Sequence, residues 1–341
     1  MRRKLLNGKM TVVLAVLLMV FITVGYAEEE KTDASGRWRY MLEDGGATIT
    51  GYVGEPPEDL VFPGELDGYP VTDIGDGAFE GCSDLTSITI PYSVMSIGNG
   101  AFYACSGLTS VTIGNNVASI GHYAFFECSG LVSVAIPDSV TSIGGGAFNR
   151  CSGLTAMIIP DSVASIGNGT FAGCSGLASV IIPDSVTHIG SGAFDSCSGL
   201  TSVNIPDSVI SIGEEAFHAC DGLTSVTIPY SVTSIGNKAF WRCSGLTSVT
   251  IPDSVTSIGN GVFWMCSSLT SVIIPDSVTS IDRYAFGGCS SLTSLVIPSS
   301  VVFIDDEAFD GCDDLVLTVE EGSHAEQHAK GNEIPYEYIV E

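Results

Sequence analysis

Eleven cysteines, spaced 23 residues apart from Cys82 to Cys312, are the side chains of this sequence with the most evident chemistry. In exported proteins cysteines usually pair as disulfides, and a cluster of thiolates can bind zinc. Side chains related by a regular repeat point the same way, however, so their sulfurs do not converge on each other or on a metal. An odd number also cannot pair completely. We therefore predict a ladder of buried, reduced thiols, with a disulfide set as the alternative.

Two histidines near the C-terminus form a second candidate site. His324 and His328 are four residues apart, which on a helix lets both imidazoles bind one metal. In zinc proteases with this spacing a glutamate follows the first histidine directly, whereas Glu326 comes one residue later. We interpret this stretch as a solvated helix of a terminal cap. The other histidines occupy unrelated repeat positions; they are His122, His188 and His218.

Aspartates at one repeat position predict a vertical acidic row; they are Asp138, Asp161, Asp184 and Asp207. Neighbouring carboxylates about 5 Å apart repel by roughly 1 kcal/mol in water. A divalent cation would relieve this repulsion, but monodentate ligands in a line make a poor calcium site. A solubilising surface row is the preferred interpretation.

No enzyme motif accompanies these residues. Gly-Asn-Gly at 98–100, 167–169 and 259–261 lacks the third spaced glycine of a phosphate loop, and the sequence has no Gly-x-Ser-x-Gly elbow. We predict a protein that is not an enzyme, with no catalytic, metal-binding or cofactor-binding residues. An active site in the terminal regions is the alternative.

All of these residues belong to one 23-residue repeat, which predicts a solenoid. Counted from each of the first ten cysteines, Leu stands at +3, mostly Val or Ile at +6 and +8, Val at +12, Ile at +15 and Phe at +20. In one copy, residues 246–251 have the pattern of a strand, Pro252 ends it and Gly259 marks a second bend. We predict a short extended or irregular segment between these bends and a single helical turn that carries Phe263. One coil cannot bury its apolar side alone, so stacking is obligatory.

The strand segment Leu108-x-x-Val111-x-Ile113 follows the pattern of leucine-rich repeats. With Cys before the Leu, Ile-Pro after the strand and Ala-Phe before the next Cys, the repeat closely resembles the BspA-like (treponemal-type) class over residues 60–320. The resemblance implies a right-handed solenoid with a parallel β-sheet on the concave side. It also implies a secreted or surface protein with a role in adhesion, but no particular ligand.

The two ends depart from the repeat and are expected to cover open sheet edges. We predict a β-rich N-terminal cap over 36–70 and repeats over 71–317. An α/β cap is predicted over 318–341. In it, Ser323-His-Ala-Glu326 is a capping box that opens a short helix, and the segment from Tyr336 forms a closing strand.

The first 27 residues have the features of a secretory signal peptide. Basic residues precede an apolar run over 10–24, and Gly25 and Ala27 provide small residues before a cut at Glu28. The run is shorter than the roughly 20 residues that span a bilayer, so an uncleaved anchor is only the alternative. We predict a disordered linker over 28–35.

The charge of the chain excludes two classes of partner. It has 12 basic and 39 acidic side chains and a formal net charge of −27. Nucleic acid and anionic membranes need a positive surface, so neither is expected to bind. Extracellular or host proteins are the expected partners, with glycans as the alternative.

The position after each Phe varies most between repeats and is the candidate binding surface. There His218, Trp241 and Trp264 follow one another at the repeat spacing and predict an aromatic ridge on the convex side. Arg242 and Met265 come directly after the two tryptophans. Trp and Arg are common at binding hot spots. The alternatives are that the indoles pack on the preceding coil and that the uniform concave strand face binds the partner.

Taken together, these features predict a secreted or cell-surface, non-catalytic binding protein of adhesin type. A structural spacer and a glycan-binding module are the alternatives. A spacer should show no selective ligand, whereas a glycan binder should use exposed aromatic rings as platforms for sugars.

Overall fold

The computed structural model describes residues 29–339, and the predicted signal peptide lies outside them. The chain forms a solenoid in which each 23-residue repeat is one coil, as predicted. Corresponding residues of neighbouring coils pair in parallel, for instance Ser119 with Ser142 and Ile120 with Ile143. The repeat length is therefore also the register of the structure.

The first side of each coil is a short strand parallel to those of the neighbouring coils; the strands are hydrogen-bonded in four successive groups, which we call together the first sheet. In most of these strands the middle residue is buried and the two flanking residues face solvent. The strands of this first sheet are Asp59–Val61, Ser87–Thr89, Ser110–Thr112, Ser133–Ala135, Ala156–Ile158, Ser179–Ile181, Ser202–Asn204, Ser225–Thr227, Ser248–Thr250, Ser271–Ile273, Ser294–Val296 and Val316–Val319.

The second side, predicted to be extended or irregular, forms a second row of parallel strands. A half-buried serine hydroxyl strengthens this part of the coil, since Ser208 donates to the carbonyl oxygen of Val186 in the preceding coil at 2.7 Å. The strands of this second sheet are Ser96–Ile97, Ser119–Ile120, Ser142–Ile143, Ser165–Ile166, His188–Ile189, Ser211–Ile212, Ser234–Ile235, Ser257–Ile258, Ser280–Ile281 and Phe303–Ile304.

The third side differs from the single helical turn that we predicted. The N–H of Cys197 donates to the carbonyl of Phe194 at 3.2 Å, and Ser196, between them, has a φ of 58°. This is the pattern of a type II turn. The N–H groups of Phe194 and Ser196 donate instead to Ala216 and His218 of the next coil, at 2.8 and 2.7 Å. A helical turn would direct these donors along its own coil and leave this side without bonds between coils.

Phenylalanine side chains form a continuous stack through the core from Phe79 to Phe309. Neighbouring ring centroids are 5.3–5.9 Å apart and the ring planes differ by no more than 14°. At the N-terminal end the Trp38 ring meets Phe79 edge-on at 6.5 Å, and at the C-terminal end the His328 ring meets Phe309 at 6.0 Å. Aromatic residues of the two caps thus close the stack.

The thiol ladder is confirmed, because all eleven cysteines are free and only Cys82 is not fully buried. From Cys105 to Cys312, each thiol donates to the backbone carbonyl of the Phe located 26 residues earlier, at 3.1–3.2 Å. The residue at that distance before Cys82 is Pro56, in the lengthened first coil. Burial raises the pKa of the thiols, to about 12 for Cys105 and Cys174.

The N-terminal region is an antiparallel pair of strands, Trp38–Glu43 and Gly46–Tyr52, that leads into the second sheet through Tyr69–Ile74. The short strand Glu65–Leu66 pairs with the last of these. The structure differs here from the disordered linker predicted over 28–35. Lys31–Thr32 forms a strand that pairs with Arg39 and Tyr40.

The turn after this first strand explains why the segment is ordered. The Asp33 carboxylate accepts hydrogen bonds from the N–H groups of Arg37 and Trp38, at 2.9 and 2.8 Å. The polar composition of the segment did not indicate this turn, because the turn forms only when Lys31–Thr32 pairs with its partner strand.

The C-terminal region contains the predicted helix, His324–Gly331, and the predicted closing strand, Tyr336–Tyr338. The Ser323 hydroxyl accepts from the Glu326 N–H at 3.2 Å, and the Glu326 carboxylate accepts from the Gly322 N–H at 2.7 Å. The closing strand pairs in parallel with Val316–Val319. The end of the first sheet is therefore extended by one short strand.

Thiol titration of the native protein should show one accessible group, Cys82, and ten protected groups. A thiol-specific dye at neutral pH should label about one cysteine per chain before denaturation and all eleven after it, without reductant. Cys82→Ser should remove the native labelling. Sulfurs that stay unreactive after unfolding would mean that the ladder consists of disulfides.

Removing one ring from the phenylalanine stack should destabilise several coils. We expect Phe194→Ala to lower the free energy of unfolding by about 3–5 kcal/mol, because it leaves a cavity in a packed core. Urea unfolding measures the loss, and hydrogen exchange should show weaker protection in the adjoining coils. The exposed Asp184→Asn is the control and should change the free energy by less than about 0.5 kcal/mol. A similarly small effect of Phe194→Ala would contradict the buried stack.

The buried His328 should make the C-terminal cap sensitive to acid. Burial lowers the pKa of His328 below its usual value of 6.5, more strongly than the nearby Asp306 and Asp305 raise it. As the pH falls, His328 is therefore protonated in the unfolded chain before it is protonated in the folded protein. The contribution of the neutral His328 ring to the free energy of unfolding is complete above about pH 6.5 and decreases below that pH.

His328→Phe keeps a ring against Phe309 without a titrating group. The melting temperature of this variant should fall less between pH 7 and pH 5 than that of the wild type. His122→Ala, which removes an exposed histidine far from the cap, should behave like the wild type. Equal pH dependence of His328→Phe and wild type would exclude His328 as the cause.

Candidate binding surface

The structure brings the three predicted ridge residues together and adds a fourth. His218 and Trp241 have ring centroids 4.3 Å apart, Trp241 and Trp264 are 4.9 Å apart, and Trp264 and Tyr284 are 5.1 Å apart. All three contacts are stacked. We call these four residues the aromatic row.

The aromatic row lies on the turn side of the solenoid, away from both sheets. His218, Trp241 and Trp264 each follow the buried Phe of their coil, so the same backbone geometry presents them at each step. All four side chains are half-buried. The rings pack on neighbouring coils, as the alternative interpretation expected, and still remain partly exposed.

Sequence reasoning missed Tyr284 because it occupies a different repeat position. Its φ is 55°, at a position where Gly192 and Gly261 have φ values of 60° and 61°. The usual position for the ring is taken by Gly287, where a Cβ atom would lie 3.2 Å from Trp264 and 3.3 Å from Tyr284. Two features of the sequence could have identified Tyr284: a tyrosine stands where other repeats have glycine, and Gly287 stands at the variable position after Phe286.

Two cations flank the aromatic row. The Lys238 ammonium is 5.2 Å from the Trp241 ring centre, and the Arg283 guanidinium is 4.8 Å from that of Tyr284. Each also has a carboxylate partner, Glu215 at 3.5 Å for Lys238 and Glu307 for Arg283. Their charges are therefore largely balanced within the protein.

Arg242 and Met265, the other predicted site residues, lie beside the row and are exposed. Met265 is 45% exposed, and Arg242 forms no ion pair with any residue in the 29–339 range. An exposed Met and an unpaired guanidinium are directly accessible to a partner. The aromatic row with Arg242 and Met265 is the candidate binding surface.

The polar atoms of the row are less accessible than its ring edges. His218 Nδ1 lies 2.7 Å from the Asp195 carboxylate. His218 Nε2 and Trp241 Nε1 are buried and have no hydrogen-bond partner in the part of the chain that the structure describes. A partner would contact ring edges, Arg242 and Met265 before it reached these nitrogens.

The strand face of the first sheet is less uniform than predicted. Ile158 and Ile181 pair directly and are 64% and 59% exposed, and Ile273 and Val296 are similarly exposed further along. The sheet therefore carries separate apolar pairs within a surface of serine and threonine. It stays the alternative binding surface.

The remaining candidate sites do not converge. His324 is exposed whereas His328 is buried, so the helix does not present two accessible imidazoles to a metal ion. The four row aspartates are exposed. Among residues 29–339, no group of three or more His, Cys, Asp or Glu side chains is placed to hold a metal ion. No helix within that range is long and apolar enough to cross a membrane.

The family of the chain follows from comparison with known proteins. The sequence profile of the BspA type leucine rich repeat region matches residues 72–201 and 187–316. No curated protein matches the sequence.

Two solved structures are similar over nearly their whole length. A leucine rich cell surface protein from Faecalibacterium prausnitzii A2-165 is 33% identical, with 89% of this chain and 98% of that chain covered and a TM-score of 0.54. A leucine-rich repeat protein from Bacteroides ovatus ATCC 8483 is 26% identical, with the same coverage and a TM-score of 0.60. With its coil geometry and its repeat profile in agreement, this chain belongs to the BspA-type leucine-rich repeat family.

Proposed function

We propose that this protein is exported, displayed at the cell surface, and binds an extracellular protein through the aromatic row with Arg242 and Met265. The observation that carries the proposal is the contrast between this surface and the rest of the molecule. The repeats are rich in Ser, Thr and Asp, and the formal net charge of the chain is −27. Four aromatic rings, an unpaired Arg and an exposed Met meet on one strip of it.

The similar proteins support the location and the absence of catalysis. The Faecalibacterium prausnitzii protein, 33% identical, is described as a cell surface protein. Leucine-rich repeat proteins of this type are generally not enzymes. An adhesin-like role is consistent with both points, because a stacked array offers a long surface and no enclosed site.

The geometry of the row favours a protein over a sugar at this surface. A sugar ring packs on the face of an aromatic ring, where the π electrons attract its C–H groups. In the aromatic row the faces of Trp241 and Trp264 are covered by neighbouring rings. Ring edges, a guanidinium and a thioether are instead typical of protein interfaces.

The double variant Trp241→Ala/Trp264→Ala should lose partner binding. The mature protein would be applied to arrays of extracellular proteins, and affinities for the proteins it retains measured by surface plasmon resonance. We expect at least a tenfold weaker affinity, because truncated hot-spot residues typically cost 2 kcal/mol or more. Circular dichroism would establish that the variant is folded.

Arg242→Gly tests the same surface without disturbing the stack. The φ of Arg242 is 58°, and Gly173 and Gly288 occupy the same position in other coils with φ values of 71° and 68°. Glycine should therefore be tolerated there, and binding should weaken. The matched control is Arg150→Gly, at the same repeat position outside the row, which should bind normally. Unchanged affinity of the folded double variant would reject the row and favour the strand face.

A further inference from the structure

The aromatic residues at the variable position are interrupted in the middle of the solenoid. Tyr103 and Phe126 stack at 4.6 Å in the first coils, and the aromatic row begins again at His218. The three coils between them carry Asn149, Ala172 and Asp195 at this position. The small side chains leave a gap where the neighbouring coils carry rings.

The gap is a cleft with a volume of about 320 Å³, bounded by Phe126 on one side and Asp195 on the other. Ala172 and Gly173 line it between them. A second depression of about 500 Å³ shares Arg150 and Gly173 with the first and continues it across the turn side. Volumes of this size are in the range that holds small ligands.

We propose that this cleft binds a neutral carbohydrate unit, at a site separate from the proposed protein-binding surface. Phe126 is the last ring of its stack, and the next coil presents Asn149 in place of another ring. The Phe126 ring lines the cleft, with the Arg150 guanidinium carbon 5.6 Å from the ring centre. Tyr103 covers one face of the half-buried Phe126 ring and the Arg150 guanidinium lies over the other, so a sugar would pack its C–H groups on the part of the ring that stays exposed between them.

The polar groups around this ring suit hydroxyl groups. Arg150 uses its Nη1 to donate to Glu127 at 2.5 Å, which balances its charge and leaves other N–H donors free. The Asp195 carboxylate receives its hydrogen bonds from His218 and Ser196 on one oxygen, Oδ1. The Asn149 side-chain amide forms no hydrogen bond with residues 29–339 in the structure. Donors and acceptors are therefore both available.

The side chains of the cleft disfavour anions and metal ions. An anion would meet the carboxylates of Glu127 and Asp195 on a molecule with a formal net charge of −27. A metal ion would need several converging carboxylates, and the described residues hold no such cluster. A neutral ligand with many hydroxyl groups and one apolar face matches the remaining chemistry.

The decisive variant is Ala172→Trp, which fills the cleft. The same repeat position holds Trp241 and Trp264 in other coils, so the backbone accepts an indole there. Phe126→Ala removes the ring instead of blocking the cleft. Trp241→Ala/Trp264→Ala is the control, because it alters the protein-binding surface and leaves the cleft intact. Melting temperatures would show that each variant is folded.

The probes are immobilised neutral oligosaccharides of glucose, galactose, mannose and N-acetylglucosamine, with heparin as the anionic comparison. We expect the mature wild-type protein to bind at least one neutral probe and not heparin. Ala172→Trp and Phe126→Ala should each weaken that binding at least tenfold, and the control should retain it.

Three results would overturn the proposal: no binding to any neutral probe, binding that Ala172→Trp leaves unchanged, or binding that only the control loses. The last result would assign the sugar to the aromatic row. Loss of protein binding in the control with sugar binding retained would separate the two surfaces.

Discussion

On the turn side of each coil, backbone N–H groups find their hydrogen-bond acceptors in the following coil. Phe194 and Ser196 donate to Ala216 and His218, and the equivalent bonds recur from coil to coil. A buried donor without a partner costs about 1–3 kcal/mol, so one coil cannot fold without the next. These donors point to the next coil only because some residues, such as Ser196 with a φ of 58°, adopt the left-handed conformation. The backbone strain of these residues opposes the stabilisation that the bonds provide.

The buried side chains follow from the same register. Because equivalent residues lie one coil apart, each Phe stacks on the next Phe. The carbonyl of Phe79 accepts from the backbone of Cys82 at 3.2 Å and from the thiol of Cys105 at 3.1 Å. A cysteine at this position is thus a small apolar side chain that also satisfies the second lone pair of a buried carbonyl. Its role is structural, which is consistent with pKa values raised by burial.

A backbone this regular leaves functional differences to the few positions where coils vary. The residue after each Phe is such a position, and the turn presents it at the same place in every coil. Consecutive aromatic residues there stack and form a surface, as from His218 to Trp264, whereas consecutive small residues leave a cleft, as from Asn149 to Asp195. The order of side chains at one repeat position therefore determines the shape and chemistry of the turn side.

The sequence by itself determined the solenoid, its register, the inward residues and the free thiols, because each depends only on the 23-residue period and on apolar spacing. It also identified the helix after Ser323, which a local capping box specifies. The tertiary structure decided what depends on contacts between coils. The predicted helical turn became a type II turn because its donors bond to the next coil, and Lys31–Thr32 is ordered because it has a partner strand. Tyr284 joined the aromatic row for the same reason, since only the stacked coils bring its ring, from a different repeat position, against Trp264.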